Sequence, residues 1–239
     1  MKLRGFAKLV LWSSLVFGSP PLAAQLAAQQ APKPDVAPFL ITGRNAEIRL
    51  ARTAAPPSIS DSATVLVLER TGYVQATRGG NGFTCVVIRS LAGSLDLPGL
   101  WSPRISAPHC FNPSAVRTVM PVLLKQTEWL LSGESPTEVA AHIARAYANR
   151  ELTPPATGSM AFMMSPEQRL TESGSHGLPH LMFFYDKSQP ASAWGAGASG
   201  SPVLYDSAAD VHAPFLTLFV LVRQWSNGAE AGAALPARP

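Results

Sequence analysis

Residues 64–89, TVLVLERTGYVQATRGGNGFTCVVIR, carry the clearest structural signal in the chain. Three runs in this stretch, 64–68, 73–77 and 83–89, are rich in β-branched and aromatic residues and have the length of single strands. Gly72 and the run Gly79-Gly80-Asn81-Gly82 separate them. Glycine and asparagine supply the positive φ angles that tight hairpin turns need. The stretch therefore predicts an antiparallel meander of three strands.

Helices are predicted before and after this meander along the chain. Asn45 can cap a first helix that must end before Pro56, since the residue preceding a proline disfavours helix. After a predicted long loop at residues 91–108, Asn112-Pro113 is a typical helix start. Pro121 then interrupts the helical spacing of apolar residues and should kink or split that helix. Ser135-Pro136-Thr137-Glu138 is a capping box and predicts the start of the next helix.

Three further strands are predicted at residues 160–164, 180–185 and 215–222, and a short helix at 165–168. The full order is a helix, three strands, two helices and three strands. Separate runs of strands and helices favour an α+β domain. We therefore predict an antiparallel sheet of about six strands, formed by the meander of three, a two-helix insertion and three more strands, and covered by helices on one face.

Cys85 and Cys110 are the only cysteines in the chain. In an oxidising compartment two cysteines are expected to form one disulfide. That bond would pin the loop ending at residue 108 to the third strand. The alternatives are a pair of buried free thiols and a metal-binding or catalytic thiol.

The two ends of the chain differ from its body. Residues 1–24 combine three basic side chains, a short apolar run and the segment Pro20-Pro-Leu-Ala-Ala24, which is the order of a secretory signal peptide. Cleavage near Ala24 would export the protein to the periplasm or the medium. The predicted organisation is a signal peptide at 1–24, a flexible lead-in at 25–42, a single α+β domain at 43–227 and a disordered tail at 228–239.

Charge and hydropathy exclude two classes of partner. After removal of residues 1–24 the chain keeps sixteen basic and fifteen acidic side chains, without a clustered basic run. Nucleic-acid binding usually requires such a cluster, so it is not expected. The apolar run at 215–222 is too short to cross a bilayer, so the mature chain is predicted to have no membrane span.

Two motif matches fail on their context. Residues 195–200, Gly-Ala-Gly-Ala-Ser-Gly, match the glycine pattern of dinucleotide sites. That motif needs a helix after the glycines, and residues 201–205 favour an extended chain instead. Ser199 lacks the final glycine of a nucleophile elbow. We therefore predict a flexible glycine loop, no catalytic serine and no bound cofactor or metal.

Four residues form a hypothetical pocket: His109, His176, His180 and Trp194. Asp186 joins the three histidines if the protein is an enzyme. The methionines near the histidines have the soft thioether group that suits Cu(I), although methionine more often fills irregular core space. A tryptophan beside a glycine-rich loop can either line a pocket or pack the loop onto the sheet.

Four blocks, residues 54–60, 82–85, 107–113 and 179–184, resemble a set of uncharacterised exported bacterial proteins. The resemblance covers about residues 43–226. It implies that this body is one unit, and it transfers no functional residue.

No catalytic constellation stands out, so we expect an exported, non-enzymatic domain that binds a small ligand or a partner protein in the cell envelope. A helix-covered sheet offers room for an apolar pocket. One alternative is an exported hydrolytic or metal-dependent enzyme. The other is a structural component of the envelope.

Overall fold

The computed structural model describes residues 35–96, 98–175, 177–205 and 214–232. Within them, eight strands form one mixed sheet in the order β2-β1-β3-β4-β5-β6-β8-β7. The predicted α+β class is confirmed, whereas the sheet has two more strands than expected and is not wholly antiparallel. The strands are β1 (Thr64–Glu69), β2 (Gly72–Thr77), β3 (Thr84–Arg89), β4 (Ser106–Phe111), β5 (Met160–Met163), β6 (His180–Tyr185), β7 (Val203–Tyr205) and β8 (Leu216–Leu221).

Five α-helices accompany this sheet in the described part of the chain. They are α1 (Arg44–Arg52), α2 (Pro57–Ser60), α3 (Pro113–Thr118), α4 (Met120–Ser132) and α5 (Pro136–Ala148). Short 3-10 turns occur at Ala37–Phe39, Ser90–Ala92, Pro98–Trp101 and Ala191–Trp194. The predicted signal peptide lies outside the described residues.

The predicted meander is wrong in its third strand. β1 and β2 form the expected hairpin, but β3 pairs in parallel with the other edge of β1. The glycine run crosses the start of β1 to reach that edge: Gly80 N donates to Ser62 O (2.9 Å) and Thr64 N donates to Phe83 O (2.9 Å). Every residue of β3 is buried, which is typical of a strand covered on both faces.

The predicted loop at 91–108 ends in a strand that the sequence conceals. β4 contains Pro108, which lies opposite Val87 of β3. Val87 O accepts a hydrogen bond from Tyr73 Oη (3.0 Å) and so points away from β4. Val87 and Pro108 are therefore a non-hydrogen-bonded pair, where proline's missing N–H breaks no bond to β3. On the other edge of β4, β5 no longer pairs at the level of Pro108. Met164 N donates instead to Ala54 O (2.9 Å).

The helix starts are confirmed where a side chain caps them. Asn112 Oδ1 accepts from Ala115 N (3.0 Å) at the start of α3, and Ser135 and Glu138 form the reciprocal capping box of α5. Pro121 splits the helix as predicted, because α3 ends at Thr118 and α4 begins at Met120.

The first helix is present where predicted but has a different cap, and the predicted short helix at 165–168 is absent. The first helix is capped by Gly43, whose φ is 91°, and not by Asn45. Residues 165–168 form a single turn that does not continue, because Arg169 pairs with Ser106 through two backbone hydrogen bonds. Ser165 Oγ still accepts from Glu167 N (3.1 Å), as a cap would.

Helices cover both faces of the sheet, not one. We call the face that carries His109 and His180 the inner face. The inner-face core contains Leu66, Val86 and Phe111 with residues of α3, α4 and α5. The outer-face core contains Val65 and Val87 with residues at the end of α1. Strand alternation divides neighbouring residues between the two cores.

The Cys85–Cys110 disulfide is present and lies in the outer-face core. The two residues are directly opposite each other in the β3–β4 ladder. The disulfide therefore joins two paired strands, where the sequence suggested a loop tied to a strand. None of the described helices is both long and apolar enough to cross a membrane.

Both ends of the described chain are more ordered than predicted. In the expected lead-in, Val36 and Phe39 are buried in the inner-face core, because they bring apolar surface to it. In the expected tail, Ala231 N donates to Arg223 O (2.7 Å). Residues 233–239 lie outside the described residues.

Candidate functional site

A cavity of about 900 Å³ lies between the inner face of the sheet and the segments that cover it. Its volume falls in the range of small-molecule sites. The sheet side is formed by Ala107, His109, Phe111, Met163, His180, Met182, Phe184, Leu204, Phe219 and Leu221, and the covering side by Leu95, Leu100, Ile105, Val122, Leu123 and Ile143.

Strand register places two histidines in one row on the cavity wall. His180 of β6 is directly opposite Met163 of β5. The β4–β5 ladder ends at the pair Cys110–Phe162, and His109 and Met163 are the residues next to this pair on the two strands. The row therefore runs His109, Met163, His180 across three adjacent strands, and all three side chains line the cavity.

His109 is a neutral imidazole with a fixed tautomer. Its Nδ1 lies 2.8 Å from Ala107 O, and a carbonyl can only accept, so Nδ1 carries the proton. The ring stacks on Phe111 with centroids 5.5 Å apart. Burial lowers the pKa of His109 to about 4, which keeps the ring uncharged at neutral pH.

His180 repeats this arrangement two strands away. Its Nδ1 lies 2.8 Å from Leu178 O, and its ring meets the ring of Phe219 edge-on with centroids 5.5 Å apart. Burial again lowers the pKa of this histidine. Among the described residues no hydrogen bond to Nε2 of either histidine is present, and with the proton on Nδ1 each Nε2 is an acceptor.

Polar contacts hold the covering segment in place. Gln126 of α4 is buried and its Nε2 donates to Leu91 O (2.8 Å) and Gly93 O (2.6 Å). Ser90 Oγ donates to Ser102 O (2.8 Å). The predicted loop is thus a wall of the cavity. Sequence reasoning missed Gln126, although a polar residue between Leu123 and Leu130 on one helix face was a usable signal.

Trp194 is not brought together with these histidines. Trp194 stacks on Tyr185, with centroids 3.9 Å apart, and does not line the cavity. Tyr185 alternates with His180 and Phe184 along β6 and therefore projects from the outer face. Trp194 thus packs its loop onto the sheet. His176 lies outside the described residues.

Asp186 is also away from the cavity. It is exposed, and its Oδ1 accepts from Ser188 N (2.7 Å). The hydrogen bonds from Ser188 lower the pKa of this carboxyl group. The carboxylate is therefore engaged in a local turn after β6.

The glycine loop at 195–200 consists of turns and a bend. Gly195, Gly197 and Gly200 have φ angles between 76° and 80°. The next element is strand β7, so the loop has no helix N-terminus to receive a phosphate.

The charge of the cavity is low. Among its described lining residues Arg89 is the one Lys or Arg, and its guanidinium is bound to Glu47 Oε1 (2.8 Å) and Phe39 O (2.8 Å). Glu172 lies in an exposed position of the lining. The described residues contain no group of three or more His, Cys, Asp or Glu side chains that could hold a metal ion.

No protein-family model matches the chain, and neither a curated protein nor a solved structure is significantly similar to it. The chemistry of the cavity is therefore what indicates a function.

Proposed function

We propose that this protein is an exported binding protein for an uncharged, largely apolar small molecule, which occupies the inner-face cavity. One observation carries the proposal: a cavity of about 900 Å³ whose wall is apolar except for a few polar groups, two of them histidines whose Nε2 has no partner in the described part of the chain. Small-molecule sites typically combine an apolar lining with a few placed polar groups.

The low charge of the wall supports an uncharged ligand. An anion would need a cation, and the guanidinium of Arg89 is already paired with Glu47. A charge that enters an apolar cavity without a partner loses its hydration and gains nothing in return. Burial of apolar ligand surface, at roughly 25 cal/mol per Å², is then the main source of affinity.

Two features support the exported part of the proposal. Residues 1–24 have the order of a secretory signal peptide. The Cys85–Cys110 disulfide suits an oxidising compartment. A binding protein in the envelope would carry or sequester a molecule that partitions poorly into water.

Titration with the uncharged dye Nile red tests the proposal. Its fluorescence should rise to saturation at one dye per chain. Thr217→Trp, which fills the cavity from β8, should abolish binding. The control is Val220→Trp on the same strand, because Val220 pairs with Leu181 and Val203 on the outer face.

The outcomes separate the alternatives. Equal dye binding by the two tryptophan variants would refute the cavity as the site. A stoichiometric metal in the purified protein that is lost in His180→Asn would favour the metal-dependent enzyme instead. An absence of any dye binding, together with a defined oligomer, would favour a structural role.

A further inference from the structure

The Nε2 atoms of His109 and His180, which have no hydrogen-bond partner among the described residues, have the same polarity. In each histidine the Nδ1 proton points at a backbone carbonyl, of Ala107 or of Leu178, so each Nε2 is a bare lone pair. His109 and His180 are 6% and 7% exposed, and both side chains line the cavity. An acceptor on a cavity wall takes a donor from water or from the ligand, and a ligand that displaces the water must supply that donor itself.

We infer that the ligand is hydroxylated, and that its hydroxyl groups donate hydrogen bonds to Nε2 of His109 and Nε2 of His180. The two histidines are two strands apart, which separates their Cα atoms by about 10 Å. Met163 lies between them and supplies apolar surface. The ligand class is therefore an apolar phenol, sterol or long-chain alcohol, and this inference rests on the proposed function.

Other donors fit the wall less well. An amine is protonated at neutral pH and would enter the cavity as a charge. An amide brings a carbonyl that needs a donor of its own. A carboxylate has no proton to donate, and the guanidinium that could neutralise it is held by Glu47. A hydroxyl group donates its proton without introducing a charge.

Three probes with one apolar body test the inference: 4,4′-dihydroxybiphenyl, its monomethyl ether and its dimethyl ether, which offer two, one and no hydroxyl donors. Affinity is measured by isothermal titration calorimetry on the processed, oxidised chain. Each hydroxyl should raise affinity by roughly 3- to 10-fold, the range expected for one net hydrogen bond.

Two substitutions at each histidine assign the donor sites. In His109→Asn the amide nitrogen takes the position of Nδ1 and keeps the bond to Ala107 O, but nothing replaces Nε2. In His109→Gln the amide oxygen reaches the position of Nε2. The ratio of dihydroxy to dimethoxy affinity should fall in the asparagine variant and recover in the glutamine variant. His180→Asn and His180→Gln should behave alike.

The result also distinguishes this inference from the function it rests on. If the dimethyl ether and Nile red bind but the hydroxyl groups add nothing, the hydroxyl inference is overturned and the apolar binding function stands. If no probe binds, both fail. A ratio that is unchanged in both asparagine variants would show that the hydroxyl groups bind elsewhere.

Discussion

Arg89 and Glu47 form an ion pair that water hardly reaches. Their side chains are 1% and 3% exposed, and Arg89 Nη2 lies 2.8 Å from Glu47 Oε1. Glu47 Oε1 also accepts from Leu68 N (3.0 Å). Glu47→Gln removes the negative charge and leaves a buried guanidinium uncompensated. The free energy of unfolding should fall by about 3–5 kcal/mol, measured by urea denaturation.

Glu69→Gln is the matched control for this substitution. Glu69 pairs with Arg44 at a similar distance (2.7 Å), but the two side chains are 51% and 47% exposed. Solvent screens such a pair, so its loss should cost less than about 1 kcal/mol. Equal losses in the two variants would contradict the view that burial sets the value of the Glu47–Arg89 pair.

His109 should make stability depend on pH between 7 and 5. Its folded pKa is about 4, below the unfolded value of 6.5, so the unfolded chain takes up the proton first. The free energy of unfolding therefore keeps its full value above about pH 6.5 and falls as the pH drops toward 4. The loss from pH 7 to pH 5 should be about 2 kcal/mol. His180 shifts in the same direction and adds to this loss.

Urea denaturation at a series of pH values measures this loss, with His109→Gln as the comparison. The variant should lose clearly less stability between pH 7 and pH 5. Glu138 and Asp186 have lowered carboxyl pKa values, so they take up protons at more acidic pH and do not contribute to the change between pH 7 and pH 5. An identical slope in the variant would mean that His109 is solvated.

At the scale of elements, the sequence predicted the features that depend on contacts between residues close together in the chain. The caps at Asn112 and Ser135 and the β1–β2 hairpin depend on neighbours within a few residues. β4 escaped prediction because Pro108 argues against a strand until the register with Val87 is known. The parallel β1–β3 pairing was not predicted, because a glycine run favours a turn in two cases. The next strand can pair with β2, or it can cross to the other edge of β1.

Gly79 decides that crossing. A Cβ at this position would overlap the backbone of Ser62, Ala63 and Thr64. Gly79 N also donates to Thr64 Oγ1 (3.0 Å). Gly79→Ala must displace β1 or the crossing segment, so unfolding free energy should fall by at least about 2 kcal/mol in urea denaturation.

The neighbouring glycine provides the control for Gly79. A Cβ on Gly80 would have no atom within 4 Å. Gly80→Ala should therefore change stability by less than about 1 kcal/mol, because an alanine there meets no clash and restricts the unfolded chain. Similar melting temperatures for the two variants would argue against the close crossing.

At the scale of the whole molecule, the cavity is the feature that the sequence predicted least well. His109 and His180 were proposed together, but 71 positions separate them, and only the β4-β5-β6 order makes them neighbours. One part of the covering wall comes from the segment predicted as a loop, and Gln126 of a distant helix holds it. The sequence leaves two roles open for Trp194, and its stacking on Tyr185 shows that it packs its loop onto the sheet, because Tyr185 projects from the outer face.

The two faces of the sheet should be separable in stability and binding. The Cys85–Cys110 disulfide closes a 25-residue loop on the outer face, while Ala107, His109 and Phe111 alternate with it into the cavity. Replacing both cysteines with alanine should lower unfolding free energy by about 3 kcal/mol, because the unfolded chain regains the entropy of an open loop. Nile red affinity should stay within about twofold where the variant is folded, since the strand pairing that sets the wall does not require the bond. Lost affinity in a folded variant would mean that the disulfide shapes the cavity across the sheet.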